Sequence, residues 1–342
     1  MVKMERLGLR GDLKLSIGKN ITYVFVFLSL LGVYACGTGS DQDTQNGNKT
    51  SSIRVPAFNR DSAYSFIEKQ VSFGPRVPGT QAHSNCLAWI IGQFEKSGAV
   101  IQQQDFEISF ISDERVTATN IVASINPQNK RRILLGAHWD TRYTADQDPN
   151  EQKRDLPILG ADDGASGVGV LLEIARVLNI HPINLGVDFI FFDAEDQGEA
   201  GSDETWCLGS QYWSSNIVIP SHPQYGILLD MVGSKGAVFR KEGFSILYAR
   251  SVVEKVWSLA KSMGYGSYFS DDQLPPITDD HRFVNEIAKI PMINIINRTR
   301  EGNFGSYWHT HQDDMSIIDR STLRAVGQVV LAVLYRESDM SI

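Results

Sequence analysis

The sequence predicts an α/β protein: one three-layer α/β/α sandwich around a mixed, largely parallel central sheet. Three observations predict it. Four apolar runs, residues 132–139, 187–193, 225–232 and 291–297, have the length and near-continuous hydrophobicity of strands buried on both faces. Segments of helical periodicity lie between and beside them, the pattern of a sheet covered by helices on both sides. Titratable residues gather where the runs end, and open α/β sheets carry their sites beyond the carboxyl ends of their strands.

Taken in chain order, the first element is not part of the sandwich. Residues 1–36 read as a targeting segment. Lys3, Arg6, Arg10, Lys14 and Lys19 form a basic stretch, followed by the uncharged 15-residue run ITYVFVFLSLLGVYA. A bilayer span needs about 20 apolar residues, so the run suits a signal core better than a membrane helix. Val33-Tyr34-Ala35-Cys36 resembles a bacterial lipoprotein box with Cys36 as the lipidated residue. An uncleaved signal anchor, or cleavage by an ordinary signal peptidase, is the alternative. The expected location is outside the inner face of a bacterial envelope, in the periplasm or on the cell surface, held to the membrane by lipid. Residues 37–54 are almost devoid of apolar side chains and read as a disordered tether.

From residue 55 to 342 there is no repeat and no second linker, which predicts a single domain. Residues 84–94 form the first helical pattern. The second, 165–179, places Val168, Leu171, Leu172, Ala175 and Leu178 on one face; 251–263 and 319–335 are two more. At 42% hydrophobic and 21% charged, the composition is ordinary for a globular protein. The formal charge of −8 argues against nucleic acid as the main partner, because phosphate binding needs a basic face. Loss of residues 1–35 removes five bases and two acids, leaving 27 against 38. Three cysteines are too few for a disulfide framework. With Cys36 lipidated, Cys86 and Cys207 remain, and the sequence leaves their pairing open.

Six polar clusters fall at strand exits or in the loops beside them: His138-Trp139-Asp140-Thr141, Asp162-Asp163, Asp193-Ala194-Glu195-Asp196, Asp230, Ile277-Thr278-Asp279-Asp280-His281 and Trp308-His309-Thr310. Each has an ordinary explanation when taken singly. Asp162 or Asp163 could cap the helix that follows, Asp140 could sit in a turn, and His309 could be a structural histidine. Asp230 and the Glu195-Asp196 pair resist this, since a carboxylate at the end of an apolar strand is costly unless paired or metal-bound. Six coincident clusters favour a site. Carboxylates with imidazole and no nearby cysteine suit zinc or a similar divalent ion. A catalytic zinc keeps one open position, and one adjacent carboxylate must stay off the metal to move protons. Neighbouring Glu195 and Asp196 can divide those two tasks.

HWDT, GADDGASG opening a helix, FFDAED, LLDMVG and a late WHT, in this order, resemble the signature of the co-catalytic zinc aminopeptidases over residues 56–340. Within that superfamily the chain is most similar to glutaminyl-peptide cyclotransferases of the animal type that also occur in bacteria. Trp308 directly before His309, the Ile277–His281 segment, and a long loop after Glu195-Asp196 that contains Trp206 carry this narrower likeness. The resemblance implies a zinc aminopeptidase-like fold and one zinc held by Asp163, Asp196 and His309. It implies Glu195 as proton shuttle, Asp230 and Asp279 as a hydrogen-bonded acid pair, and Trp308, Trp206 and Ile277 as walls of the substrate pocket. Animal relatives have Glu where Asp196 stands; the shorter carboxylate is still a zinc-ligand type. The implied substrates are peptides and proteins with N-terminal glutamine, converted to pyroglutamate with release of ammonia. Asp162 is expected to be a cap or a supporting residue beside the ligand Asp163. His281 is expected to hydrogen-bond within the Asp279-Asp280 turn, and His311 to be a bystander. His83, His181 and His222 have no partner legible in the sequence.

Two other functions fit the residues. A dizinc aminopeptidase would use His138, Asp163, Asp196, Asp230 and His309 as ligands with Glu195 as base. A membrane-tethered binding module that has lost catalysis would keep the fold without turnover. Metal stoichiometry separates the first from the cyclase, and the intact base and ligands weigh against the second.

Overall fold

The protein is described by a computed structural model that covers residues 54–109 and 115–342. Residues 1–53, where the expected signal segment, the expected tether and Cys36 fall, lie outside the described residues.

Two helices, α1 (Arg60–Val71) and α2 (Gln81–Lys96), precede the sheet. Strands β1 (Val100–Ser109), β2 (Arg115–Ile125) and β3 (Arg132–His138) follow. Then come α3 (Ala165–Ile180), β4 (Gly186–Phe192), α4 (Leu208–Ser215) and β5 (Tyr225–Asp230). A short strand β6 (Phe239–Lys241), helix α5 (Gly243–Ser262) and strand β7 (Phe269–Gln273) lead to α6 (Asp280–Phe283), β8 (Met292–Ile296) and the last helix, α7 (Arg320–Ser338). The main sheet has the order β1-β2-β4-β3-β5-β8. β4, β3, β5 and β8 are parallel, and β1 and β2 join antiparallel at one edge. The sheet is therefore mixed and largely parallel, as expected, and all four apolar runs are its parallel strands.

The period-two alternation of those strands builds two cores. Ile133, Leu135, Phe189, Phe191, Ile227 and Leu229 face the larger one with α1, α3, α5 and α7. Leu134, Ile190, Phe192, Leu228 and Met292 face the other, against Trp213 of α4 and the turn after α6. Every residue of β3 and β4 is buried, which is why they read as unbroken apolar runs rather than alternating ones. At the amino ends of these two strands, Arg132 and Asp188 form a fully buried ion pair at 2.6 Å. Asp188 also receives Ser124 Oγ, so the pair's hydrogen bonds are shared with a neighbour.

The chain runs from β3 through α3 to β4 on one side of β3, and then crosses to β5 on the other. That reversal opens a crevice at the carboxyl ends of β3, β4 and β5, where ligands bind in such sheets.

Candidate active site

The crevice is lined by the loops that leave these strands. β3 ends in His138, and Asp140 follows two residues later. Buried Asp140 receives the N–H groups of Glu195 and Asp196, each at 3.2 Å, and Gln197 Nε2 at 2.8 Å. An acid that sequence alone leaves as a possible turn residue thus anchors the loop after β4. Arg142 clamps the same loop through Asp196 O and Gly198 O at 2.9 and 3.1 Å, and its guanidinium lies 4.7 Å over the Trp206 ring. Ala194, Cys207, Met231 and His309 all have φ between +47° and +56°. Such backbone is held against its preference only where surrounding contacts fix it, and it clusters at functional sites.

Asp163 stands at the entry to α3. Its neighbour Gly164 passes so close to β3 that a Cβ there would lie 2.5 Å from His138 O, which explains the small residue in this motif. The N–H groups of Asp162 and Asp163 both go to Asp313, at 2.7 and 3.2 Å. The Asp162 carboxylate turns away from the crevice. It accepts Gly233 N at 2.6 Å and the Tyr307 hydroxyl. It does not cap α3, whose amino end has no side-chain cap, so of the two expectations for Asp162 the supporting role is the one its contacts fit.

Asp163, Asp196 and His309 converge, their potential ligand atoms all within 4.8 Å of one another. His309 Nε2 lies 2.9 Å from Asp196 Oδ1 and 3.8 Å from Asp163 Oδ2, while Nδ1 faces Asp146 at 3.1 Å. Asp163 Oδ2 and Asp196 Oδ2 are buried with no hydrogen-bond partner among the described residues. Two orphaned carboxylate oxygens beside an imidazole, open to a pocket on one side, are what a zinc with an open position requires. A carboxylate on the far nitrogen of a ligating imidazole can orient the ring, and Asp146 lies on that side of His309. A second triad, His138, Asp163 and Asp230, also lies within 4.8 Å. His138 Nε2 is 3.0 Å from Asp163 Oδ1 and 3.3 Å from Asp230 Oδ1.

Glu195 belongs to a third group, with Cys207 and Asp279, whose ligand-type atoms lie within 4.8 Å of one another, and its Oε2 is 3.8 Å from His138 Nδ1. Its backbone carbonyl accepts Cys207 N at 2.8 Å, and Cys207 Sγ lies 3.4 Å from Oε1. Burial and the nearby charges of Asp196, Asp280 and Asp279 push its carboxyl well above the usual range, against the pull of His138. Burial likewise raises Asp230, to about 8, helped by the charges of Asp279 and Asp163. Asp279 is also raised by burial. Asp230 and Asp279 both line the pocket; Asp230 Oδ1 lies 3.3 Å from His138 Nε2, and Asp279 accepts from Asn294 Nδ2 and from the N–H of Asp280. For His309, burial opposes the charged form, but the carboxylates of Asp196, Asp146 and Asp163 raise it to about 9.

A pocket of about 180 Å³ lies over these groups, lined by Trp206, Trp308, Phe304, Ile277 and Thr278 as well as Glu195 and the ligand set. That is the liquid volume of about six waters, room for one side chain. Trp308 stacks on His309 with ring centroids 3.6 Å apart, and Trp206 lies parallel to the same imidazole at 6.1 Å. The structure therefore brings together Glu195, Asp230, Asp279, Trp308, Trp206, Ile277, Asp163, Asp196 and His309.

One expectation needs correction, and the structure supplies partners that the sequence left open. His281 does not bond within its own turn; its Nε2 reaches Glu242 at 2.7 Å. Cys86 and Cys207 are both free and buried; Cys207 Sγ is directed at Glu195, while Cys86 belongs to the main core. His83 stacks on Trp139 and contacts Asp193 at 2.8 Å, and His222 meets Pro223 O. His311 pairs with Asp148 at 2.8 Å.

Sequence reasoning missed Glu242. Buried, it caps α5 through Phe244 N and Ser245 N, accepts Ile277 N, and receives His281. It thereby fastens both ends of the segment that carries Asp279 and Asp280. Burial opposes its ionisation, but the charge and hydrogen bond of His281 and the two cap N–H groups hold it down at about 2. A folded pKa below the unfolded one contributes stability above the unfolded value of about 4.5, and that stability is lost as pH falls through about 2. Glu242→Gln should therefore lower unfolding free energy by roughly 3 kcal/mol at pH 7. In urea titrations the gap between native and variant should narrow between pH 4.5 and 2; a gap independent of pH would refute the charge-based account.

Residues 120–334 match the model of peptidase family M28. The glutaminyl-peptide cyclotransferase of Bos taurus is 24% identical over 250 residues, which cover 62% of this chain and 64% of the bovine one. The chain thus spans slightly under two thirds of the length of that relative. The crystal structure of Bacteroides thetaiotaomicron glutaminyl cyclase bound to N-acetylhistamine is 48% identical with a TM-score of 0.80, covering 82% of this chain and 99% of that one. A Zn-dependent exopeptidase from Parabacteroides distasonis is 47% identical with the same TM-score, 0.80, and the same coverage, 82% and 99%. The chain belongs to peptidase family M28, in the branch that holds the bacterial glutaminyl cyclases.

Proposed function

We propose that the protein is a zinc-dependent glutaminyl-peptide cyclotransferase acting on peptides and proteins with N-terminal glutamine. The observation that carries this reading is the one-residue pocket walled by Trp206, Trp308 and Ile277 and floored by Glu195 and the Asp163–Asp196–His309 set. Those three residues would hold one zinc, which when bound supplies a Lewis acid for the γ-carboxamide oxygen.

The remaining work falls to the chain. The reaction forms a bond from the substrate α-nitrogen to the carbonyl carbon of its own side-chain carboxamide (Cδ) and breaks that carbon's bond to the amide nitrogen, which leaves as ammonia. Both reacting groups belong to one residue, so a narrow pocket that bends the side chain back supplies much of the catalysis. Trp308 and Trp206 hold its methylenes, and the size of the pocket favours the folded side chain over an extended one. Glu195 takes a proton from the attacking amine and delivers one to the departing nitrogen. Asp230 and Asp279, both raised above the usual carboxylate range, can share a proton and orient the amine.

One observation favours the second reading, an aminopeptidase: His138, Asp163 and Asp230 converge as a second cation site would require. The test gives the protein a Gln-initiated peptide and its Leu-initiated analogue, read by mass spectrometry, with zinc counted per chain. Loss of the mass of ammonia from the Gln peptide alone, with one zinc, is expected. Release of a free amino acid with two zincs would replace the cyclase reading by the aminopeptidase.

The lipoprotein box at Cys36 supports export and anchoring of the enzyme by lipid, in the periplasm or at the cell surface. Radiolabelled palmitate should enter the native protein in cells and not its Cys36→Ser variant.

A further inference from the structure

A second concavity, of about 910 Å³, lies at the opposite end of α3 from the active site. Four arginines line it, Arg54, Arg176, Arg324 and Arg336, with His181 and no carboxylate-bearing residue. In a chain with 40 acids against 32 bases, such a lining is a local reversal of charge. Arg176 is held by Glu173 through two hydrogen bonds of 2.6 and 2.7 Å. Arg54, Arg324 and Arg336 form no ion pair among the described residues, and Arg54 and Arg324 are exposed. Ile180 at the end of α3 is 54% exposed beside them, next to half-buried Met263.

We propose that this groove is a docking surface for the anionic headgroups of a phospholipid bilayer. Unpaired guanidiniums bind phosphate oxygens in bidentate fashion, and an exposed isoleucine among them suits the boundary between headgroups and acyl chains. Position gives the second argument. Arg54 to Ala57, the first residues described, form part of the rim. The chain therefore enters the folded body at this groove, with 17 residues between Cys36 and Arg54. Seventeen residues reach at most about 60 Å when extended, so a lipid at Cys36 keeps this face within reach of the membrane.

Geometry gives the third. α3 has 16 residues, starting beside Asp163 and ending in the groove, a distance of about 24 Å along its axis. Docking by the groove would turn the catalytic pocket away from the bilayer, open to peptides arriving from the aqueous side.

The test uses the chain beginning at Arg54, which lacks the anchor. Solved relatives align over 99% of their own length to 82% of this chain, so this body folds by itself. It is sedimented with phosphatidylcholine vesicles with and without phosphatidylglycerol. Binding only to the anionic vesicles, weakened by salt, is expected. Affinity should fall about five-fold per arginine removed, roughly 100-fold in the triple variant Arg54→Ala/Arg324→Ala/Arg336→Ala. Turnover of a soluble Gln peptide should be unchanged in that variant, which separates this proposal from the proposed activity. Equal binding to both vesicles, no binding, or undiminished binding by the triple variant would overturn it. So would binding of inorganic phosphate or of an acidic protein without affinity for anionic vesicles.

Discussion

Asp163→Ala is expected to yield folded protein without zinc and without turnover, while Asp162→Ala keeps most of its zinc. The two aspartates are adjacent and both buried, and their partners separate them. Asp163 presents an oxygen with no donor among the described residues to the space shared with Asp196 and His309. A catalytic zinc rests on three protein ligands, so removing one leaves too few donors to retain it. Asp162 faces the other way and is satisfied by Gly233 N and the Tyr307 hydroxyl. Its loss strips a buried acceptor from Tyr307, but that hydroxyl keeps Ser234 at 2.9 Å. The expected cost is about 1–3 kcal/mol of stability rather than metal. Zinc per chain by atomic emission, with thermal melts of both variants, reads the two effects separately. Zinc lost from Asp162→Ala and kept by Asp163→Ala would show that the ligand register is displaced by one residue.

What could be read from the sequence follows the physics of each element. The parallel strands were legible because burial on both faces leaves no polar interruption: β3, β4, β5 and β8 are buried throughout. β1 was not, because it lies at the edge with mostly exposed side chains and buries only Phe106 and Ile108. Its register with β2 depends on pairing, which local hydrophobicity does not encode. The same division holds in the crevice. Glu195, Asp196 and Asp230 could be found because they end apolar runs, and His309 because Trp308 and the order of the motifs flagged it. Asp146 and Glu242 could not. They sit outside any apolar run, and their importance lies in partners brought by the fold: His309 to Asp146, and His281, 39 positions along the chain, to Glu242. Asp313 lies 150 residues from Asp163, whose N–H it receives. A residue that holds another in place leaves little trace in its own neighbourhood.

Glu195→Gln is expected to lower kcat by about 10²- to 10⁴-fold, the range contributed by a positioned proton-transfer group, with zinc content and KM close to native. The backbone contacts of Glu195 do not involve the carboxylate: its N–H goes to Asp140 and its carbonyl accepts Cys207 N. Glutamine keeps the length and an oxygen that Cys207 Sγ can still approach, so the loop should hold its course. Asp196, one residue on, receives its own support from Asp140 and Arg142, and the metal ligands therefore remain in place. What glutamine cannot do is accept a proton and return it. A loss confined to kcat identifies an interaction made in the transition state, whereas a rise in KM alone would identify uniform binding. The two outcomes assign different chemistry to the same side chain. If KM rose and kcat stayed, Glu195 would hold the substrate amine, and the proton would have to travel through Asp230 and Asp279. The double variant Asp230→Asn/Asp279→Asn would then show the larger loss of kcat.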